Sequence, residues 1–299
     1  MTSKSMAPLP ASTRIELVAL SVSDIELSER FYARNLGLTP LERSERSVTL
    51  GTGLGRPLVE LVHEPDGVEP GRRSPGLFHL AILLPDRIAL GRSLSRLWQS
   101  GWQLSGAGDH LVSEALYLDD PEGNGIELYW DRPKDSWKVV DGMVQMDTLA
   151  VDIESLLEEG SKDLSPWDGI PEGSTMGHVH LKVSDLDAAR DFYTEVIGFE
   201  LVFSMPQANF LSTGAYHHHL GLNTWMSSGG PPPPPNALGL RNFTVMLPSA
   251  EEIGAVRGRL EHASIAYRSE GGGILLLDPS GNGLLIKSAP ESLIGRTVE

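Results

Sequence analysis

Two histidines and one glutamate occupy positions from which they could share a metal ion. His79 lies in the run LFHLAILLPD and His178 in the run GHVHLKVSD, each seven residues before an aspartate that begins a helical pattern. Glu127 lies in the run GNGIELYW. Two imidazoles and one carboxylate on neighbouring strands make a facial triad, which suits Fe(II) or Mn(II) and leaves coordination positions open. We predict that His79, Glu127 and His178 form a metal site.

A run of three histidines stands in the segment AYHHHLGLNTW. Strand alternation would place His217 and His219 on one face and His218 on the other. We predict that His219 is an acid or base beside the open metal positions, with His217 near it. The alternative is a solvent-exposed histidine run. His180 shares a face with His178, so it is either a fourth ligand or part of the pocket wall.

Two further side chains are catalytic candidates. Tyr117 lies ten residues before Glu127, on a strand predicted to run antiparallel to it across the turn DPEGNG. Its phenol could donate a hydrogen bond to a metal-bound oxygen. His110, in GDHLVSEALY, begins the approach to that strand. Each could equally be structural, Tyr117 as a packed aromatic and His110 as a loop histidine.

These residues lie within an internal repeat. The segment VSDIELSERFYARNLGL from Val22 matches VSDLDAARDFYTEVIGF from Val183 without a gap, at an offset of 161 residues. In each copy, a β-type run precedes an amphipathic helix that begins after an aspartate and ends at a glycine. Such self-similarity indicates a structural unit that is used more than once.

A second pair of matching stretches divides each half of the chain into two modules. DDPEGNGIELYW from Asp119 resembles LDPSGNGLLIKS from Leu277, and in both a glycine-containing tight turn joins two strands. We predict an α+β fold of four βαβββ modules that form two paired, barrel-like units. The predicted N-terminal domain spans residues 14–134 with modules one and two, a connecting segment spans 135–175, and the C-terminal domain spans 176–290 with modules three and four.

The ligand positions also predict which modules pair. Modules one and four have no equivalent ligand set, because their aligned positions are Leu17, Asn242 and Leu285, and only Glu60 in the closing strand of module one is of a ligand type. Neither half of the chain therefore owns a complete triad. Only a pairing of module two with module three brings His79, Glu127 and His178 together.

Composition and charge exclude several classes of function. The 299 residues include 24 Lys plus Arg against 40 Asp plus Glu, so the formal charge of -16 repels nucleic acid and anionic lipid. The absence of cysteine excludes disulfides, thiolate ligands and a cysteine nucleophile. No apolar run is long enough for a membrane span or a signal peptide. We expect a cytoplasmic protein that acts on a small molecule, with no nucleic acid or membrane partner.

The quoted segments resemble the vicinal oxygen chelate superfamily, whose members are built from paired βαβββ modules. GLFHLAILLPD, DHLVSEALYLDDPEGNGIELY, GHVHLKVSDL and YHHHLGLNTW look like the four-module bacterial catechol 2,3-dioxygenases of extradiol type. The resemblance covers nearly the whole chain, from about Ile15 to Lys287. The better-known extradiol enzymes hold their site within the C-terminal half, whereas module four of this chain lacks both expected ligands.

The resemblance implies that the protein cleaves the ring of an aromatic diol with O2, at Fe(II) or alternatively Mn(II). It places the metal on His79, Glu127 and His178, a pocket tyrosine at Tyr117, and pocket histidines at His110 and His219. It also suggests a homo-oligomer.

Two rival functions stay open. A glyoxalase I-type isomerase of the same superfamily typically has a fourth protein ligand, often a glutamate in the place that Gly221 occupies. A non-catalytic drug-binding resistance protein needs no metal triad.

Overall fold

Each module folds into a strand, a helix and three further strands, as the repeat predicts. The structure, a computed structural model, describes residues 7–140 and 143–289. Module one contains β1 (Arg14–Val22), α1 (Ile25–Phe31), β2 (Thr39–Arg43), β3 (Ser47–Gly51) and β4 (Pro57–His63). Module two contains β5 (Gly76–Leu83), α2 (Arg87–Ser100), β6 (Gly106–Asp109), β7 (Ser113–Asp119) and β8 (Gly125–Asp131).

The connecting segment and the C-terminal modules follow in the same way. The connecting segment contains β9 (Val139–Val140), β10 (Met143–Val144) and α3 (Ile153–Gly160). Module three contains β11 (Thr175–Lys182), α4 (Leu186–Asp191), β12 (Glu200–Met205), β13 (Ala208–Ser212) and β14 (Leu220–Asn223). Module four contains β15 (Gly239–Leu247), α5 (Ala250–His262), β16 (Tyr267–Glu270), β17 (Gly273–Leu277) and β18 (Gly283–Ser288). Within the described ranges, no helix has the length and apolar character that crossing a membrane requires.

Four of the described helices begin where an aspartate caps them, among them the helices of modules one, two and three. Asp24, Asp86 and Asp185 precede α1, α2 and α4, and each carboxylate accepts a hydrogen bond from the backbone N–H three residues later. Helices α1 and α4 continue into π-helical turns at Tyr32–Leu36 and Phe192–Ile197. Each turn ends at a glycine in the left-handed conformation, which releases the chain into the next strand.

The strands of the described ranges form two eight-stranded mixed sheets and one two-stranded antiparallel sheet. Sheet one has the strand order β16-β17-β18-β15-β1-β4-β3-β2, and sheet two has the order β12-β13-β14-β11-β5-β8-β7-β6. Sheet one therefore joins modules one and four, whereas sheet two joins modules two and three. This confirms the predicted module pairing and the α+β class with two paired units. The domain boundaries at 14–134 and 176–290 stay a prediction, since each sheet takes one module from either half.

Two buried tyrosine–aspartate contacts tie the modules within each half of the sequence. The hydroxyl of Tyr32 in module one donates to Oδ2 of Asp120, in the turn between β7 and β8 of module two, at 3.1 Å. Tyr193 donates in the same way to Asp278 in the corresponding turn of module four, also at 3.1 Å. Each carboxylate accepts three further N–H bonds from its own turn. The repeated tyrosine therefore contacts the repeated Asp-Pro-x-Gly-Asn-Gly turn in both halves of the sequence.

A pair of glycines lets the connecting segment lie against module two. Gly91 in α2 and Gly160 at the end of α3 face each other, and a Cβ on Gly91 would lie 2.2 Å from the carbonyl oxygen of Leu156. Any side chain at either glycine would therefore push the two helices apart. The close approach fixes the connecting segment on module two.

Loss of either tyrosine hydroxyl should destabilise the fold. Tyr32→Phe and Tyr193→Phe each leave a buried carboxylate without one donor, so we expect the free energy of unfolding to fall by about 1.5 kcal/mol in each variant. Urea denaturation followed by circular dichroism measures the change. Tyr267→Phe is the control, because that hydroxyl bonds Glu261 at the surface. An equal effect in all three variants would contradict the role given to the turns.

Candidate metal centre and cavity

The three predicted ligands meet on one face of sheet two. His79 lies on β5, Glu127 on β8 and His178 on β11. Oε2 of Glu127 is 3.0 Å from Nε2 of His79 and 3.1 Å from Nε2 of His178. One donor atom from each residue lies within 4.8 Å of the other two, and all three side chains are buried. The structure therefore brings the predicted triad together.

The strand register places the three side chains around a small residue. Ala81 on β5 lies opposite His178 on the antiparallel strand β11 and beside Glu127 on the parallel strand β8. His79, two residues before Ala81, points to the same face of the sheet. A methyl group at position 81 leaves the space between His178 and Glu127 clear of larger atoms.

The protonation states of the triad suit a divalent cation. Burial alone would raise the pKa of Glu127, but His178 and His79 together hold that pKa well below its ordinary value, so the carboxylate is ionised. Burial lowers the pKa of His178 against the opposing effect of Glu127, which favours the neutral imidazole. Ionised carboxylates and neutral imidazoles are the forms that bind metals.

Two buried ring nitrogens of the triad, Nε2 of His79 and Nδ1 of His178, lack a hydrogen-bond partner. Nε2 of His79 is close to Glu127, yet the ring is not aligned for a hydrogen bond and the nitrogen is inaccessible to water. Burying such a nitrogen unpaired costs about 1–3 kcal/mol. A metal ion between the three donors would satisfy Nε2 of His79, so the residues present fit a bound cation.

His110 and Tyr117 form a hydrogen-bonded pair on the wall of the same cavity. The Tyr117 hydroxyl and Nε2 of His110 are 2.7 Å apart, and Nδ1 of His110 lies 3.0 Å from the carbonyl oxygen of Asp147. Nδ1 must donate to that carbonyl, so Nε2 accepts from the phenol. Burial, together with the nearby Glu127 carboxylate, raises the pKa of Tyr117 well above its ordinary value. The phenol is therefore protonated.

The histidine run does not follow the predicted alternation. His217 and His218 both line the cavity, whereas His219 does not. Nδ1 of His219 instead accepts from the backbone N–H of Thr213 and lies 3.0 Å from Oγ of Ser212. Burial lowers the pKa of His219 to about 3. The expected placement of His219 beside the metal positions was wrong, because regular strand geometry begins only at β14, after the three histidines.

An aspartate that the sequence analysis did not single out orients two of these histidines. Oδ1 of Asp131 lies 2.8 Å from Nε2 of His217, and Nδ1 of His217 lies 2.7 Å from Nδ1 of His218. The His218 ring packs against that of His178 at an interplanar angle of 51°, with ring centres 4.1 Å apart. Asp131 stands four residues after Glu127, on the same face of β8, so extending the strand alternation would have found it.

His180 forms part of the cavity wall. It lies opposite His79 in the pairing of β5 with β11, but it does not belong to the group of converging donors. Its ring covers Gly221 on the adjacent strand, where an added Cβ would lie 2.7 Å from the ring Cγ of His180. The His180 ring therefore leaves no room for a side chain at position 221, where a glutamate would be needed as a fourth ligand.

The triad lines a cavity of about 680 Å³. Aromatic side chains cover one side, with Phe78 packed 5.1 Å from His180 and 5.2 Å from Trp225 between ring centres. The connecting segment covers another side with residues 146–148. The cavity therefore belongs to modules two and three together with the segment between the halves.

The sequence matches the model of the Glyoxalase/Bleomycin resistance protein/Dioxygenase superfamily over residues 14–128 and 175–285. The chain belongs to this superfamily. It is also 42% identical, over 278 residues, to a catechol-2,3-dioxygenase of Bacillus subtilis (strain 168), and the match covers 92% of this chain and 96% of that protein.

Solved structures share the fold at low sequence identity. Glyoxalase I from Zea mays superposes with a TM-score of 0.54 at 17% identity, covering 92% of each chain. The cppA protein from Streptococcus pneumoniae superposes with a TM-score of 0.56 at 14% identity, covering 92% of this chain and 98% of that one. The superfamily fold thus extends over nearly the whole molecule.

The hydrogen bonds of Asp131 predict the proton positions on two rings. Because the carboxylate accepts from Nε2 of His217, we predict that Nδ1 of His217 is the acceptor in its contact with His218, which then carries its proton on Nδ1. Nitrogen-15 NMR of the metal-free protein should show this tautomer of His218. Asp131→Asn should mix the tautomers, whereas Asp119→Asn should not. A wild-type His218 protonated on Nε2 would contradict the assignment.

Proposed function

We propose that the protein is an extradiol ring-cleaving dioxygenase that uses O2 to open catechol or substituted catechols. The observation that carries the proposal is the convergence of His79, Glu127 and His178 in one buried group beside a large cavity. The 42% identity to a catechol-2,3-dioxygenase supports it.

The triad would hold Fe(II), with Mn(II) as the alternative ion. When bound, the metal supplies open coordination positions and the electron transfer through which an aromatic diol reacts with dioxygen. Three protein donors rather than four are consistent with this demand. Gly221 has no side chain and cannot supply a fourth ligand, so the glyoxalase I-type isomerase has less support. The converging triad likewise disfavours a binding protein that needs no metal.

His218 is the residue we assign to proton transfer. Burial holds the pKa of its ring well below the ordinary value, so the imidazole is neutral and able to accept a proton. With Nδ1 bonded to His217, Nε2 is the nitrogen left for a substrate hydroxyl. The acid–base role predicted for His219 therefore passes to His218, and His217 and Asp131 fix its orientation.

Tyr117 is the residue we assign to a substrate oxygen. It stands directly opposite Glu127 in the pairing of β7 with β8, on the cavity face. The phenol has one O–H, which His110 accepts in this structure at 2.7 Å. A bound substrate would take over this donor, so that the phenol stabilises an oxygen that gains negative charge as the ring opens. The cytoplasmic location and the homo-oligomeric state stay predictions.

Ring cleavage can be observed directly. Protein loaded anaerobically with Fe(II) and then given catechol and air should develop the yellow colour of a ring-opened hydroxymuconic semialdehyde. Tyr117→Phe should lower kcat by about 100-fold to 1,000-fold, because it removes one stabilising donor. No colour with either Fe(II) or Mn(II), across several catechols, would contradict the proposal. Turnover of a glutathione hemithioacetal would favour the isomerase instead.

Metal affinity tests the ligand assignment without catalysis. Glu127→Gln and His178→Ala should each weaken Fe(II) or Mn(II) binding by about 100-fold or more, because each removes a direct metal ligand. Loss of a residue that only supports a ligand already lowers metal affinity by about 10-fold to 100-fold. Anaerobic equilibrium dialysis with metal analysis gives the affinity. Glu60→Gln is the matched control, because Glu60 lies on β4 in the other sheet. An unchanged affinity in Glu127→Gln would remove Glu127 from the site.

A further inference from the structure

The cavity is much larger than the ring that the proposed reaction consumes. A cavity of about 150 Å³ is enough to hold benzene, whereas this one has a volume of about 680 Å³. A catechol bound at the triad would leave most of the space to be filled by something else. Either water or a substituent on the ring must occupy that remainder.

An apolar wall, formed by Phe203, Met205, Phe210 and Trp225, extends from the triad toward solvent. The ring of Phe210 lies 5.1 Å from that of His218 and 5.8 Å from that of Phe203, measured between centres. Met205 and Trp225 are 44% and 42% exposed, so they stand at the cavity mouth. Water against such a wall is released favourably when an apolar group replaces it.

The cavity offers no cation to a negatively charged substituent. No lysine or arginine of residues 7–140 or 143–289 lines it. Its acidic members outside the triad are Asp119 and Asp147, both exposed. A substrate carboxylate would lose hydration without gaining a partner, and the formal charge of -16 adds repulsion. A substrate ammonium would meet only exposed carboxylates, and exposed ion pairs stabilise little.

We propose that the preferred substrate is a catechol that carries an uncharged apolar substituent, an alkyl or aryl group lying along the apolar wall. This inference rests on the proposed ring-cleaving function and names its substrate class. The diol end faces the triad, Tyr117 and His218, and the substituent reaches toward Met205 and Trp225.

A substrate series tests the proposal. At fixed O2, kcat/KM is compared for catechol, 4-butylcatechol, 3-phenylcatechol, 3,4-dihydroxyphenylacetate and dopamine. Since each buried methylene is worth about fourfold, we expect 4-butylcatechol to exceed catechol at least tenfold, and both charged catechols to fall at least tenfold below 4-butylcatechol. A charged catechol at the top of the series, or equal values for catechol and 4-butylcatechol, would overturn the assignment.

Substitutions in the apolar wall test where the substituent of the catechol binds. Phe203→Ala should reduce the preference for 4-butylcatechol over catechol by about fivefold or more. Leu201→Ala, an exposed position on the same strand, should leave the preference unchanged. Met205→Lys supplies the missing cation at the mouth and should raise kcat/KM for 3,4-dihydroxyphenylacetate relative to 4-butylcatechol. An unchanged preference in both wall variants would place the substituent elsewhere.

A binding measurement separates this inference from the proposed function. Anaerobic calorimetric titration of the metal-free protein compares the affinities of 4-butylcatechol and 3,4-dihydroxyphenylacetate. If no catechol is cleaved, the ring-cleaving function fails, and tighter binding of 4-butylcatechol would still support the apolar site. If catechol is cleaved but 3,4-dihydroxyphenylacetate binds more tightly, the substrate class fails while the function stands.

Discussion

The register of three adjacent strands is the constraint on which the site depends. Strand β5 lies between β11 and β8, and Ala81 at its centre has His178 on one side and Glu127 on the other. A shift of one residue in either pairing would turn a ligand to the opposite face of the sheet. A buried, ionised Glu127 is stable only where positive charge or hydrogen-bond donors compensate its charge. The same requirement therefore explains why the two histidines surround Glu127 and why the three side chains could bind a cation.

The two halves of the chain are interlocked by two kinds of contact. Backbone pairing joins modules across the halves, two with three and one with four. The contacts of Tyr32 with Asp120 and of Tyr193 with Asp278 join modules within each half. The same sequence repeat therefore serves both connections, and among the described residues only sheet two carries a converging group of metal-binding side chains. The connecting segment adds a wall to the resulting cavity and lies against α2 through two glycines.

The repeat made the fold and the triad predictable, because equivalent positions on equivalent strands compare directly. His79 and His178 stand at matching distances before their helices, and module four lacks their counterparts, so the pairing of modules followed from the ligands. His219 could not be placed in this way, since the residues before β14 leave strand geometry and alternation no longer applies. Strand alternation along β8 could have identified Asp131. The volume of the cavity and the absence of lysine and arginine from its described lining depend on tertiary packing, which the sequence pattern does not show.

The central claim is that one metal ion lies between modules two and three. Anomalous diffraction from crystals loaded anaerobically with Fe(II), recorded on both sides of the iron absorption edge, tests it most directly. We expect one strong peak within coordination distance of His79, Glu127 and His178, and none on sheet one. A peak held by residues of module four, or full iron occupancy at a place away from these three side chains, would contradict it.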